Sequence, residues 1–297
     1  MKSTNPVLSR WGAARAVAPT GTAADTPVHR PVGATTAGPP ADGPATLTVT
    51  PLTVTPVTLA APVSDAPPAP TTMTLDDVVL RTAATLGTAA LTAALSWLFL
   101  PVDGANLGRS YGIALGAAVL AFALAMLQSV RRLPSPALIL GYAAFEGVFL
   151  GVVSSATSTY LAPGVVVQTV LGTFTVAAGV LVAYRMRWIR VTDRFTGFLI
   201  AAATGFLLLL LADALFTAFG AGHGLGFHSG GLGLLFGAIG VLLGAGFLAL
   251  DFRQVENALA EGAPREDAWL AAFGLTTTLV WIYLEVLQVL TIFNSDN

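Results

Sequence analysis

The sequence predicts an all-α polytopic membrane protein with seven transmembrane helices behind a disordered N-terminal tail. Three observations carry that reading. Of the 297 residues, 55% are hydrophobic and only 10% charged, against roughly a quarter charged in a soluble globule. From about Thr82 onward the chain holds seven apolar runs, each close to the roughly 20 residues that a helix needs to cross the hydrocarbon core. These runs lack two-residue alternation and are about twice the length of a barrel strand.

The elements follow in order. Residues 1–72 are dominated by Pro, Thr, Ala and Gly, with the near-repeat TLTVTPLTVTPVTL at 46–59. Pro51 and Pro56 would interrupt any sheet ladder there, so this stretch is read as a disordered tail. Met1 to Trp11 lacks the apolar core of a secretory signal. The membrane domain is placed at 73–293, with 294–297 as a short C-terminal end. It opens on Thr74 as an N-cap, with Asp76 and Asp77 in the first turn, where the helix dipole favours acids. The spans are placed at 82–102, 110–130, 137–157, 164–184, 195–219, 230–250 and 268–293. Pro134, Pro136, Pro163 and Pro264 fall at or between their ends, as helix boundaries should. Small residues recur at four-residue spacing at Gly112/Gly116, Gly147/Gly151, Gly233/Gly237 and Gly240/Gly244. They are read as helix-packing positions.

Arginine sets the expected orientation. Arg81, Arg131, Arg132, Arg185, Arg187, Arg190, Arg194, Arg253 and Arg265 all fall on one side if the chain crosses seven times, and Arg109 alone falls on the other. The positive-inside rule then puts the N-terminus in the cytoplasm and the C-terminus outside. The same arginines are compatible with anionic lipid headgroups.

Several function classes drop out. There is no Cys, hence no disulfide, thiol catalysis or thiolate metal site. Lys2 is the only lysine, so no Schiff base forms within the membrane. No HExxH zinc helix, GxGD or GxSG sequence occurs, and an enzyme is not expected. No basic patch favours nucleic acid. His29 falls in the tail, and His223 and His228 fall in a Gly-rich loop whose plain reading is flexibility. No cofactor is expected; the expected partners are the lipid bilayer, protons and a transported cation, with any membrane-protein partner left open.

Four acids in or at the ends of spans remain: Glu146, Asp213, Asp251 and Glu285. A carboxylate in hydrocarbon needs a partner, a proton, water or an ion. Glu146 lies near the middle of the third span, Asp251 closes the sixth at its cytoplasmic end, and Glu285 lies deep in the seventh. Asp213, nearer the outer end of the fifth, reads more simply as an interfacial or helix-bonded carboxylate. With no Lys or Arg inside the spans, Glu146 and Glu285 are candidates for a proton sensor, a proton relay or a cation site.

Five segments resemble the bacterial branch of the Bax inhibitor-1 (transmembrane Bax inhibitor motif) family. MKSTNPVLSR is similar to the start of actinobacterial members, and MTLDDVV (73–79), PALILGYAAFEGVFLG (136–151), LALDFRQVENALAEGAP (248–264) and WIYLEVLQVL (281–290) add to it. The resemblance implies a central helix ringed by the others in a bacterial plasma membrane. It also implies a pH-sensitive calcium leak, gated by one acid at the end of the sixth helix and one in the seventh. Asp251 and Glu285 match those two places, with Glu where better-known members have Asp. Calcium favours several oxygen ligands, which Asp251, Glu285 and Glu146 could supply, with Glu146 lining the pore. The two gate acids are 34 residues apart, a wide spacing for the family. In a plain hairpin turning near Gly262 they would lie about 18 Å apart along the axis, with Thr276, Thr277 and Thr278 nearer Asp251. Glu146 with Glu285 is the alternative pair by depth. Two other functions use the same residues differently: a proton-coupled transporter of small solutes, and a non-conducting regulatory membrane protein.

Overall fold

The computed structural model describes residues 72–295 except Arg132, Ala162, 220–226 and His228. The tail reading therefore lies outside the described residues, as do His29, His223 and His228. Within them the chain forms seven helices: α1 (Leu75–Phe99), α2 (Leu107–Val130), α3 (Pro136–Tyr160), α4 (Val165–Arg185), α5 (Asp193–Ala218), α6 (Gly230–Ala260) and α7 (Ala268–Ser295). A short 3-10 turn, Arg265–Asp267, leads into α7. All seven helices are long and apolar enough to cross a membrane.

Helix α7 is the central one, packed against α1, α3, α4 and α6, while α2 leans mainly on α3 and α5 on α6. Burial follows that arrangement. The most apolar stretches of α3, α6 and α7 are 39–44% buried, those of the other four only 17–22%. The outer helices accordingly present Leu98, Leu115, Phe122, Leu171, Phe198 and Leu208 outward. So much exposed apolar surface suits hydrocarbon, not water.

The first helix begins where its sequence places it. The Thr74 side chain accepts from Asp77 N–H, and the Asp77 carboxylate accepts from the Thr74 backbone, closing a capping box. Thr72, read from sequence as the last tail residue, instead forms a β-bridge with Pro264, and Met73 N–H donates to the Ala263 carbonyl at 2.8 Å. The backbone upstream of α1 is thus pinned to the α6–α7 turn.

Helix α6 departs most from its predicted bounds. It continues ten residues past 250, to Ala260. The added segment DFRQVENALA is polar enough to end a hydropathy window, yet it contains no helix breaker. The helix stops only at Gly262, which adopts φ +65, with Ala263 N–H bonded to the Ala258 carbonyl at 3.0 Å and Gly262 N–H to Leu259 at 3.2 Å. This is a Schellman end with glycine at its left-handed position. Asp251 therefore lies inside a helix, not at the close of one.

Two glycine pairs show what four-residue spacing does here and what it does not. Gly147 and Gly151 of α3 sit directly on α1: an added Cβ would overlap the carbonyl oxygens of Ala89 and Ala93 and the hydroxyls of Thr92 and Ser96. The contact is close enough for Ser96 Oγ to donate to the Val148 carbonyl at 3.1 Å. Gly112 and Gly116 of α2, expected to pack in the same way, face open space. Overpacking a tight helix contact costs about 1–3 kcal/mol. Gly147→Leu should therefore lower the stability of the detergent-solubilised protein by at least that much in a thermal unfolding assay. Gly112→Leu should change it by less than about 0.5 kcal/mol, as surface substitutions do. Equal effects would contradict the α1–α3 contact.

Candidate functional site

The polar side chains of α7 meet polar groups of its neighbours one after another along the helix. Thr276 Oγ1 lies 2.7 Å from Thr85 Oγ1 of α1, both buried. Thr278 Oγ1 donates to Asp251 Oδ2 of α6 at 2.6 Å. Tyr142 of α3 stacks edge-on against Phe273, with ring centroids 5.1 Å apart, and its hydroxyl reaches Thr277. Glu146 lies one turn further along α3. The Tyr283 hydroxyl and Ser154 Oγ of α3 are 2.7 Å apart. Hydroxyls that find partners across helices in this way remove the penalty of polar groups in hydrocarbon.

Glu285 differs from this series. Its carboxyl group lies directly over Gly240 of α6, in the space that a side chain there would fill. Trp281 Nε1 donates to the Gly240 carbonyl at 3.2 Å, so the helices touch at that level. Glu285 Oε2 is buried and has no hydrogen-bond partner among the described residues. A buried carboxyl oxygen with no donor calls for a proton, a cation or a turn toward water.

The register of α6 against α7 keeps the two proposed gate acids apart. Gly240 faces Glu285, Gly244 faces Ile282, and Gly274 faces Asp251, whose Oδ1 is 3.3 Å from the Cβ position there. The helices run as a straight antiparallel hairpin turning at Gly262. Asp251 is eleven residues from Gly240 along α6 (251 − 240), and Glu285 is seven from Thr278 along α7 (285 − 278). At 1.5 Å per residue the two levels differ by about 10–16 Å. Asp251 and Glu285 therefore do not pair; the immediate partner of Asp251 is a threonine, at the depth the hairpin geometry predicts.

Glu146 does not join Glu285 either. Tyr142 marks the Phe273–Thr277 level and Ser154 the Tyr283 level, so Glu146, four residues beyond Tyr142 on a parallel helix, falls short of Glu285. Among the described residues no three His, Cys, Asp or Glu side chains are placed to hold a metal ion together. The expectation of Asp251, Glu285 and Glu146 as one calcium ligand set is not met: they stand at three places on the inner faces of α6, α7 and α3. Asp213 is buried in α5, 2% exposed, on a helix that packs mainly against α6. The polar residues that sequence reading passed over are Thr85, Tyr142, Ser154 and Tyr283. Their signal was hydroxyl-bearing side chains inside apolar spans.

The carboxyl of Glu285 and the missing side chain of Gly240 form a testable couple. Gly240→Ala should destabilise the protein by about 1–3 kcal/mol, because the new methyl displaces the carboxyl. Combining it with Glu285→Ala should recover most of that loss, a coupling within the 0.5–3 kcal/mol range of touching residues. Additive losses in a double-mutant cycle read by thermal unfolding would contradict the contact.

A family model described as "Bax inhibitor 1 like" matches residues 5–295, nearly the whole chain. No curated protein matches it.

Proposed function

The chain belongs to the Bax inhibitor 1-like family, and on that premise we propose that it lets calcium leak across a bilayer under the control of protons. One observation carries this reading: Asp251 and Glu285, on facing helices within the spans, have no basic partner among the described residues. Among the described residues Asp251 has only the Thr278 hydroxyl, and Glu285 Oε2 has no donor. Arg253, two residues from Asp251, turns to Asp193 instead, at 3.9 Å. Such carboxyls are suited to exchange protons or to pass a hard cation.

The separation of the two acids changes the form of the gate. Two carboxyls in contact titrate as one unit. Two carboxyls about 10–16 Å apart act as successive stations along the α6–α7 interface. Glu146, beside Tyr142, gives a third station from α3, suited to a passing cation. On this reading the protein works in a bacterial plasma membrane with its N-terminus in the cytoplasm. Supporting that orientation, the α1 start, the α4 end and the α6–α7 turn share one end of the bundle with most of the arginines.

Calcium uptake into proteoliposomes across a pH series tests the proposal. Asp251→Asn and Glu285→Gln should each alter the pH profile of flux. The double variant should show the product of the two single effects, as expected for sites more than about 7–10 Å apart. Unchanged flux and pH response in the double variant would overturn the gate. Saturable uptake of a small solute, with no calcium flux, would favour a proton-coupled transporter.

A further inference from the structure

The connection between α4 and α5 concentrates positive charge that the fold does not use. Arg185 ends α4, Arg187 and Arg190 lie in the connection, and Arg194 is the second residue of α5. All four are exposed, and none forms an ion pair with a described residue. Two acids near this region have partners on other elements. Asp193 faces Arg253, and Glu256 of α6 accepts from the Tyr184 hydroxyl at 2.5 Å. Between the arginines, Trp188 is 73% and Met186 54% exposed.

The backbone supplies a second, independent observation. Helix α4 ends in the same motif as α6: Trp188 N–H bonds the Ala183 carbonyl and Arg187 N–H the Tyr184 carbonyl, both at 3.0 Å. In α6 the left-handed position of this motif is Gly262 at φ +65; in α4 it is Arg187 at φ +58. Glycine adopts that conformation without penalty and arginine does not. A side chain kept where the backbone would favour none points to work done by the side chain.

We propose that the α4–α5 turn is a binding site for the headgroup of an anionic phospholipid. The guanidinium groups meet the lipid phosphate through charge-assisted, bidentate hydrogen bonds. Trp188 sits at headgroup depth, where indole is favoured, with Met186 beside it. The exposed apolar pair selects a lipid over a free phosphate, since a soluble anion gains nothing from it. The site is independent of whether the protein conducts calcium.

The test uses the full chain in phosphatidylcholine nanodiscs titrated with phosphatidylglycerol, bound lipid being counted by native mass spectrometry. A basic residue near an anionic surface contributes about five-fold in affinity. Arg187→Gly/Arg190→Gln/Arg194→Gln should therefore weaken phosphatidylglycerol binding well over ten-fold and leave phosphatidylcholine binding unchanged. Arg187→Gly alone separates the proposal from a capping role. It should weaken phosphatidylglycerol binding about five-fold while leaving the melting temperature equal or higher, because the strained position is relieved. Three results would overturn the proposal: wild-type phosphatidylglycerol affinity in the triple variant, a lower melting temperature with unchanged lipid affinity in Arg187→Gly, or displacement of the lipid by excess inorganic phosphate.

Discussion

The contact between α6 and α7 governs where the chemistry of this protein can occur. Gly237, Gly240 and Gly244 give α6 a groove, and Val289, Glu285 and Ile282 of α7 fill it. Lipid offers helices no hydrophobic reward for meeting, so close van der Waals contact and interhelical hydrogen bonds must hold them. Once the groove is filled, the axial register of the two helices cannot slide. The depth of Asp251 and that of Glu285 are then both set, and with them the partners each carboxyl can have. Neither acid can reach the other without breaking a helix or emptying the groove.

The rest of the interior follows from the same shortage of water. Because α7 is surrounded by four helices, three of its hydroxyls find partners on three different neighbours: Thr276 on α1, Thr278 on α6, Tyr283 on α3. These bonds do not radiate from one cavity. They form a series of separate contacts, and each fixes one neighbour to the central helix. The arrangement explains why three intramembrane acids do not collapse into one ligand cluster. Their helices present them at different depths and on different faces, and threonine and tyrosine occupy the places between.

Much of the fold was legible in the sequence because lipid imposes a strong pattern. Apolar length revealed seven helices, and the Thr74–Asp77 pair revealed the start of the first. The end of α6 was not legible from hydropathy, since DFRQVENALA is polar yet helical and only the glycine at 262 stops it. The glycine pairs were half legible. Spacing identifies positions able to pack, but Gly112 and Gly116 show that it cannot say whether a helix lies opposite. For the site, sequence located the acids and even the threonines level with Asp251, because a hairpin with a known turn fixes depth. It could not supply rotation about the helix axis, which decides whether two groups at similar depth meet. That is why Glu285 could be foreseen as deep, but its seat over Gly240 could not.

The turn that sets this register is itself held from outside the hairpin. Arg265 Nε contacts Asp77 Oδ1 at 2.7 Å, and Arg81 of α1 donates to the carbonyls of Arg265 and Glu266 while its guanidinium lies 5.3 Å from the centre of the Trp269 ring. An exposed ion pair alone contributes about 0–1 kcal/mol, too little to hold a helix pair in place. Here the pair is one part of a joined set, with the capping box that orients Asp77 and the backbone bonds from Thr72 and Met73 to the turn. Asp77 is 8% exposed, so its carboxylate has little access to competing water. Each member restricts the freedom the others would otherwise have to remove, which is the condition under which weak surface contacts become useful. The start of α1 and the α6–α7 turn therefore behave as one structural joint. The Thr85–Thr276 bond, about three turns further into the bundle, inherits its alignment from that joint.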